Sequence, residues 1–160
     1  MSSVLISIQP KWCELIANGR KTIEIRKTRP NIETPFKCYI YCCANKNGVH
    51  DLLEMHCTDG KIRKANRRVI GEFVCDDIFQ IRVFENGSIQ DYLFKNMCRS
   101  CVPYDDISEY IGNENTGYGW HISDLVIYDE PRKLSEFCGA NKRKTLTRPP
   151  QSWCYVEELR

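Results

Sequence analysis

The chain has 160 residues, of which 42% are hydrophobic and 28% charged, the balance of a globular protein with a buried core. It contains no apolar run of the roughly 18 residues that a membrane span needs and no signal-peptide pattern at its N-terminus, so we expect one domain over residues 1–160, a cytoplasmic location and no membrane partner. The net charge of +2 is unevenly divided, because residues 1–68 carry 13 Lys and Arg against 6 Asp and Glu, whereas residues 69–160 carry 10 against 15.

The first elements follow from hydrophobic periodicity. An apolar strand is predicted over 4–8, and a short helix over 11–18 follows it. Pro10 suits the first turn of this helix, its apolar face carries Trp12, Leu15 and Ile16, and Gly19 suits the position just past its end. Further strands are predicted over 22–27, 37–43 and 68–79, the last one extended by residues 80–84.

The connection over residues 44–66 is polar and long, which is typical of a functional or mobile loop. Asn86 and Gly87 indicate a turn, and Ser88 with Asp91 resembles a capping box ahead of a helix. The apolar residues with helical spacing there are Ile89, Leu93, Phe94 and Met97.

The C-terminal third is predicted to hold a short helix over 105–111, which Gly112 ends, and strands over 118–128 and 153–156. Many strands with a few short helices favour an α+β fold built as a small mixed β-barrel rather than a βαβ repeat.

Ten cysteines are many for a chain of this length, and in a reducing compartment we expect free thiols. Cys98 and Cys101 have the spacing of a zinc ligand pair, but no second pair of this kind accompanies them. The side chains that could complete a site are Cys42, Cys43, Cys57, His50 and His56. Other cysteines, such as Cys38, lie in apolar runs where a thiol acts as a small hydrophobic group. We expect no metal and no cofactor.

Basic clusters lie at 20–29, 61–68 and 142–148. Clusters of this kind bind polyanions by releasing counterions, although each one alone is equally typical of a solvated loop.

The stretch over residues 19–26 groups several charged side chains beside a hydrophobic strand. Thr22, Glu24 and Arg26 share one face of the predicted strand, and Lys21 lies at the bend before it. Folding alone does not require this grouping. The two interpretations are a ligand site and a row of exposed ion pairs, which would contribute little to stability.

Three segments resemble the ASCH family of the PUA-like superfamily. Residues 7–12, followed by 19–26, match the family's G-x-K-x-x-E-x-R signature. Residues 117–124 are similar to its late strand, and residues 128–137 to the segment after that strand. The resemblance implies one ASCH domain with a PUA-like barrel, a cleft between the first helix and the sheet, and a role in RNA or nucleotide biology.

Some small members of the family are amidohydrolases that remove the acetyl group from acetylated cytidine. Their signature has a threonine three residues after the lysine, together with a downstream glutamate. Here Glu24 stands at the threonine position, and Glu72 and Glu109 are both candidates for the downstream residue. A carboxylate beside Lys21 stabilises its ammonium form, which suits binding a polar base or phosphate better than attacking an amide.

We therefore predict that the cleft recognises RNA or a modified nucleoside. Lys21 and Arg26 would contact phosphate or base oxygens, Glu24 would accept from a base amine, and Trp120 would stack on the base. The full set of candidate ligand-binding residues is Lys11, Gly19, Lys21, Thr22, Glu24, Arg26, Trp120, His121 and Ser123.

Two other functions stay open. The first is an enzyme, an amidohydrolase on acylated cytidine or a nuclease, with Lys21 and Glu24 as catalytic residues. The second is a protein-interaction module that uses residues 44–66. The remaining tryptophans, Trp12 and Trp153, are expected to pack in the core.

Overall fold

The computed structural model describes residues 2–44, 53–90, 98–141 and 143–160. Its strands are β1 (Ser2–Ile8), β2 (Ile23–Arg26), β3 (Phe36–Cys42), β4 (Glu54–His56), β5 (Ile62–Lys64), β6 (Arg68–Arg82), β7 (Thr116–Arg132) and β8 (Trp153–Glu157). Its α-helices within these ranges are α1 (Pro10–Ala17) and α2 (Tyr104–Ile111), and a 3-10 helix spans Leu134–Glu136. Neither α-helix is long and apolar enough to cross a membrane.

Six strands form one mixed sheet in the order β2-β7-β6-β3-β1-β8, and β4 and β5 form a separate two-stranded hairpin. The β1 and β3 strands run parallel, while the other neighbours in the six-stranded sheet are antiparallel. A parallel pair needs a long crossover. The segment that contains α1 and β2 supplies it, and this is the segment that carries the charged signature.

The two edges of the sheet meet through side chains. The β2 and β8 strands stand at opposite ends of the strand order, and no backbone ladder joins them in the described ranges. Instead, residues that follow β2 contact β8. Trp153 Nε1 donates to Thr28 Oγ1 over 3.0 Å, and the backbone N–H of Asn31 donates to the Tyr155 hydroxyl over 2.7 Å. The mixed sheet together with α1 and α2 confirms the predicted α+β class. Closure of the sheet into a barrel stays a prediction.

The core lies on both faces of the central strands. On one face of β1, Val4, Ile6 and Ile8 share an apolar cluster with Cys13 and Ile16 of α1. On its other face, Leu5 packs in a second cluster with Tyr39 of β3 and with Phe137 and Val156. Strand alternation accounts for this division, because successive side chains point to opposite faces.

The α2 helix packs over the strand that carries the signature. Ile107 and Ile111 of α2 share a cluster with Ile23 and Ile25 of β2. Gly117 of β7 permits this approach, since a Cβ there would lie only 2.5 Å from the Ile111 Cδ1 atom. The helix therefore covers the apolar face of β2.

Most predicted elements are confirmed with shifts of one to four residues at their ends. One correction concerns residues 44–66, which contain the β4–β5 hairpin and are not wholly a loop, although residues 45–52 lie outside the described ranges. The helix predicted after Ser88 falls mainly on residues 91–97, which are also outside them. The Ser88 hydroxyl donates a hydrogen bond of 2.7 Å to Asn86 Oδ1.

The ten cysteines are free thiols, and their surroundings differ widely. Cys38 and Cys75 are fully buried in the main core cluster, whereas Cys98 is exposed. Burial raises the pKa of the Cys38 thiol and raises the pKa of the Cys75 thiol to about 12. The thiols in the core are thus poor nucleophiles as well as inaccessible ones.

Substitution Gly71→Ala should lower the free energy of unfolding by about 1–3 kcal/mol, because the added Cβ would lie 2.4 Å from the Val126 carbonyl oxygen in the adjacent strand. Urea unfolding measures the change. Gly139→Ala is the matched control, since the nearest atom to its added Cβ is Leu146 Cδ2 at 3.9 Å. Equal stability of the two variants would contradict the close approach at Gly71.

Alkylation with iodoacetamide at pH 8 should modify Cys98 well before Cys75 in the folded protein, because the reagent attacks thiolates that it can reach. Peptide mass spectrometry after timed quenching gives the order. In denaturing urea the difference should disappear. Equally fast labelling of both residues in the native protein would show that the core around Cys75 opens readily.

Candidate functional site

The bend that delivers Lys21 is a Schellman motif at the end of α1. Gly19 has a φ of +81°, a conformation that favours glycine, and its amide donates to the Ile16 carbonyl over 3.0 Å. The Arg20 and Lys21 amides both donate to the Leu15 carbonyl over 3.0 Å. The chain therefore turns sharply from the helix into β2.

The Lys21 side chain is buried, with 2% of the residue exposed. Its ammonium donates to the Ser100 carbonyl over 2.6 Å. The same segment accepts the Thr22 and Ile23 amides at the Arg99 carbonyl, over 2.9 and 3.3 Å. Residues 98–101, which the sequence indicated as half of a zinc site, thus hold the lysine bend through their backbone.

Glu24 lies between Lys21 and Arg26 and pairs with both. Its Oε1 atom accepts from Arg26 Nε over 3.1 Å and lies 3.0 Å from Arg26 Nη2. Its Oε2 atom lies 3.4 Å from Lys21 Nζ. The three side chains form a buried cluster of net charge +1, here called the KER cluster.

Arg26 joins the KER cluster to the far edge of the sheet. Its Nη2 atom donates to the Ser7 carbonyl of β1 over 2.6 Å, and its Nη1 atom donates to the Ser152 hydroxyl over 3.2 Å. Ser7 in turn donates its hydroxyl to the Pro150 carbonyl over 2.7 Å. These contacts satisfy the guanidinium, as a buried charge requires.

One oxygen of the KER cluster is incompletely satisfied. Glu24 Oε2 is within ion-pair distance of Lys21 Nζ, but this contact lacks hydrogen-bond geometry, and no other donor in the described part of the chain reaches the atom. A buried carboxylate oxygen without a donor is costly, by roughly 1–3 kcal/mol or more for a charged group. The geometry therefore leaves an acceptor that a ligand donor would satisfy.

A cleft of about 480 Å³ opens over the KER cluster, between α1, β2 and α2. All three charged side chains line it, and Ile25 and Ile107 contribute apolar surface. Its remaining lining residues are Ser7, Gln9, Lys11, Trp12, Cys43, Val102, Asp106, Tyr110 and Gln151. A volume of this size is within the usual range for small-molecule sites.

Aromatic and cationic groups meet at the cleft. The half-buried Trp12 ring has Lys11 Nζ 4.6 Å and Lys21 Nζ 5.0 Å from its centroid. Tyr110 of α2 is 43% exposed. Trp12 packs against the main core cluster, as expected, and in addition lines the cleft.

The predicted stacking role of Trp120 is wrong. Trp120 is completely buried and packs edge-on against Phe36, with ring centroids 5.9 Å apart, and against Trp153 at 6.1 Å. No face of its ring is available to a base. Its Nε1 atom has no hydrogen-bond acceptor in the described ranges.

The other predicted residues of the late strand lie outside the cleft lining. His121 Nδ1 is 2.6 Å from Asp76 Oδ1, and this hydrogen bond lowers the pKa of the Asp76 carboxyl. The Ser123 hydroxyl donates to the Val74 carbonyl over 2.8 Å. Thr22 also lies outside the lining, with its hydroxyl buried.

The two candidate downstream glutamates are also absent from the cleft lining. Glu72 lies 3.3 Å from Lys37 Nζ and accepts a hydrogen bond from the Tyr128 hydroxyl, and Glu109 is exposed on α2. Besides Glu24, the carboxylate that lines the cleft is Asp106.

The side chains weighed as zinc ligands do not assemble into a metal site in the described ranges. There, no three Cys, His, Asp or Glu side chains lie close enough together to hold a metal ion. His50 falls outside these ranges, as does Lys142 of the third basic cluster.

Comparison with known proteins identifies the family of this chain. The ASCH domain profile matches residues 6–144, so the chain belongs to the ASCH family. The crystal structure of ASCH from Zymomonas mobilis has a TM-score of 0.66 at 19% identity, covering 98% of this chain and 88% of that one.

Crystal structures of two mutants of the Zymomonas mobilis protein, one Tyr to Phe and the other Ser to Ala, each have a TM-score of 0.64 at 19% identity. They cover 98% of this chain and, respectively, 91% and 89% of their own. At this identity the likeness shows a shared fold. No curated protein matches the chain.

Substitution Glu24→Ala should lower the free energy of unfolding by about 3 kcal/mol or more, because it leaves Lys21 and Arg26 buried without their counter-charge. Urea unfolding measures this. Glu158→Ala is the control, since it removes an exposed partner of Lys37 and should change stability very little. Wild-type stability of Glu24→Ala would mean that water reaches the KER cluster and replaces the lost charge.

Proposed function

We propose that this ASCH domain binds RNA or a modified nucleoside by accepting one base into the cleft. The observation that carries the proposal is the buried Oε2 atom of Glu24, a cleft-lining residue, which receives no hydrogen bond from the described part of the chain. A base N–H group would supply that donor. Arg26 occupies the other carboxylate oxygen, so the orientation of Glu24 is already set before a ligand arrives.

Lys21 adds a donor beside this acceptor. An ammonium has three N–H groups, and one of them donates to the Ser100 carbonyl, which leaves donor capacity for a ligand oxygen. The acceptor and the donor are 3.4 Å apart. This pairing suits a base edge on which an N–H group stands next to a carbonyl oxygen.

The aromatic side chains at the cleft suit a base in a second way. Stacking of a base on an aromatic ring contributes about 1–3 kcal/mol. Trp12 and Tyr110 both line the cleft, on α1 and α2 respectively. We assign the stacking role to Trp12, in place of Trp120.

The alternative is an enzyme with Lys21 and Glu24 as catalytic groups. The unsatisfied Glu24 oxygen favours this alternative in one respect, because it could also accept a proton from a reacting group. Lys21 argues against a nucleophilic role, since its side-chain nitrogen already donates to the Ser100 carbonyl and lies 3.4 Å from the Glu24 carboxylate. Binding is therefore the function that the geometry supports better.

Substitution Lys21→Met should weaken binding at least tenfold, because it removes the ammonium while keeping the apolar stem of the side chain. Calorimetry with a panel of standard and modified nucleosides, and with a 10-nucleotide RNA of random sequence, measures the change. Lys37→Met is the matched control, an ion-paired lysine outside the cleft lining. Thermal unfolding of each variant confirms that it is folded.

Unchanged binding by folded Lys21→Met would contradict the site assignment. The same samples test the enzyme alternative when acetylated cytidine and RNA are incubated with wild-type protein and separated chromatographically. Release of acetate that is lost in Lys21→Met would support an amidohydrolase, and shortened RNA that is lost in Lys21→Met would support a nuclease.

A further inference from the structure

A second concave surface, here called the basic groove, lies between the start of β6 and the end of β7. Its volume is about 330 Å³. The lining residues are Arg63, Lys64, Asn66, Arg68, Glu130, Pro131 and Lys133. Four of the seven are basic and one is acidic, so the groove differs from a surface of mixed charge.

Most of these basic side chains have no acidic partner among the described residues. Arg63 is engaged by Asp59, with Nη2 and Oδ2 2.7 Å apart. For Lys64, Arg68 and Lys133, no carboxylate in the described ranges lies within 4.0 Å of the charged group. Cations gathered in a concave surface raise the local concentration of an anionic partner.

The basic groove and the cleft are linked at one residue. Cys43 lines the cleft, and its carbonyl accepts a hydrogen bond of 3.1 Å from Asn66 Nδ2. Asn66 lines the basic groove. A second contact beside it, from the Arg67 amide to the Cys42 carbonyl over 2.7 Å, ties the same two segments. This contact therefore places a residue of the cleft lining next to a residue of the basic groove lining.

We propose that the basic groove binds the phosphate backbone of a single-stranded RNA whose base occupies the cleft. This inference rests on the proposed function and narrows it, because it makes the ligand a polynucleotide rather than a free nucleoside. A single strand is required, since a base must leave its stack to enter a cleft. Phosphate contacts would hold the strand in register, and the KER cluster would read the base.

The test compares wild-type protein with the double variant Arg68→Gln/Lys133→Gln. A fluorescein-labelled 10-nucleotide RNA of random sequence is titrated by anisotropy at several salt concentrations. The double variant should bind at least tenfold more weakly at low salt. The slope of log K against log salt should shrink by about 1.4, from two phosphate contacts at about 0.7 each on a single strand. Nucleoside binding by calorimetry should stay as in wild type.

Arg82→Gln is the matched control, because Arg82 is the last residue of β6, whereas Arg68 is the first. It should leave both the affinity and the slope unchanged. Competition with polyglutamate should displace the RNA only weakly. Displacement as effective as that by unlabelled RNA would overturn the proposal, since the cations would then serve any acidic polymer.

Failure of this inference can be told apart from failure of the proposed function. If the double variant keeps the wild-type RNA affinity and salt slope while Lys21→Met loses RNA binding, the proposal for the basic groove is overturned and the proposal for the cleft stands. If the double variant loses RNA binding and Lys21→Met does not, phosphate binding by the basic groove stands and the proposal for the cleft is overturned. If wild-type protein binds nucleosides but not RNA, the basic groove alone is overturned.

Discussion

The Arg26 guanidinium is the interaction on which both the sheet and the site depend. It pairs with Glu24 on its own strand and donates to Ser7 on β1 and to Ser152, the residue before β8. Burying such a charge costs several kcal/mol, which a full set of hydrogen bonds and a counter-ion offset. In this way one side chain connects the two ends of an open strand order and orients the carboxylate of the cleft.

The rest of the KER cluster follows from this arrangement. Arg26 occupies one oxygen of Glu24, so the other oxygen is directed to Lys21 and to the cleft. The left-handed Gly19 then determines where Lys21 enters, and Ser100 receives its ammonium. Local backbone geometry and ion pairing within residues 21–26 thus place a donor and an acceptor next to each other in a buried site.

Local periodicity in the sequence predicted the strands and helices and the residues that share one face of a strand. It did not predict which residues the packing of distant elements brings together. Alternation in β2 put Glu24 and Arg26 on one face, and the structure keeps them paired. Alternation in β7 did not predict that Trp120 is fully buried. Its neighbour His121 is partly exposed, and the sequence does not show that other elements cover the face of β7 that carries Trp120. Tyr110 was not a candidate, since only the packing of α2 over β2 brings it to the cleft. The spacing of Trp12 predicted its packing against the core, but could not show that it also lines the cleft.

The acceptor that holds Lys21 is a main-chain carbonyl, contributed by Ser100 from a segment 79 positions away. A carbonyl belongs to whichever amino acid occupies the position, so the interaction would persist through side-chain replacement as long as the backbone keeps its path. Divergence among related chains could therefore erase every sequence trace of this contact while leaving the lysine anchored. Only comparison of backbone coordinates would recover it.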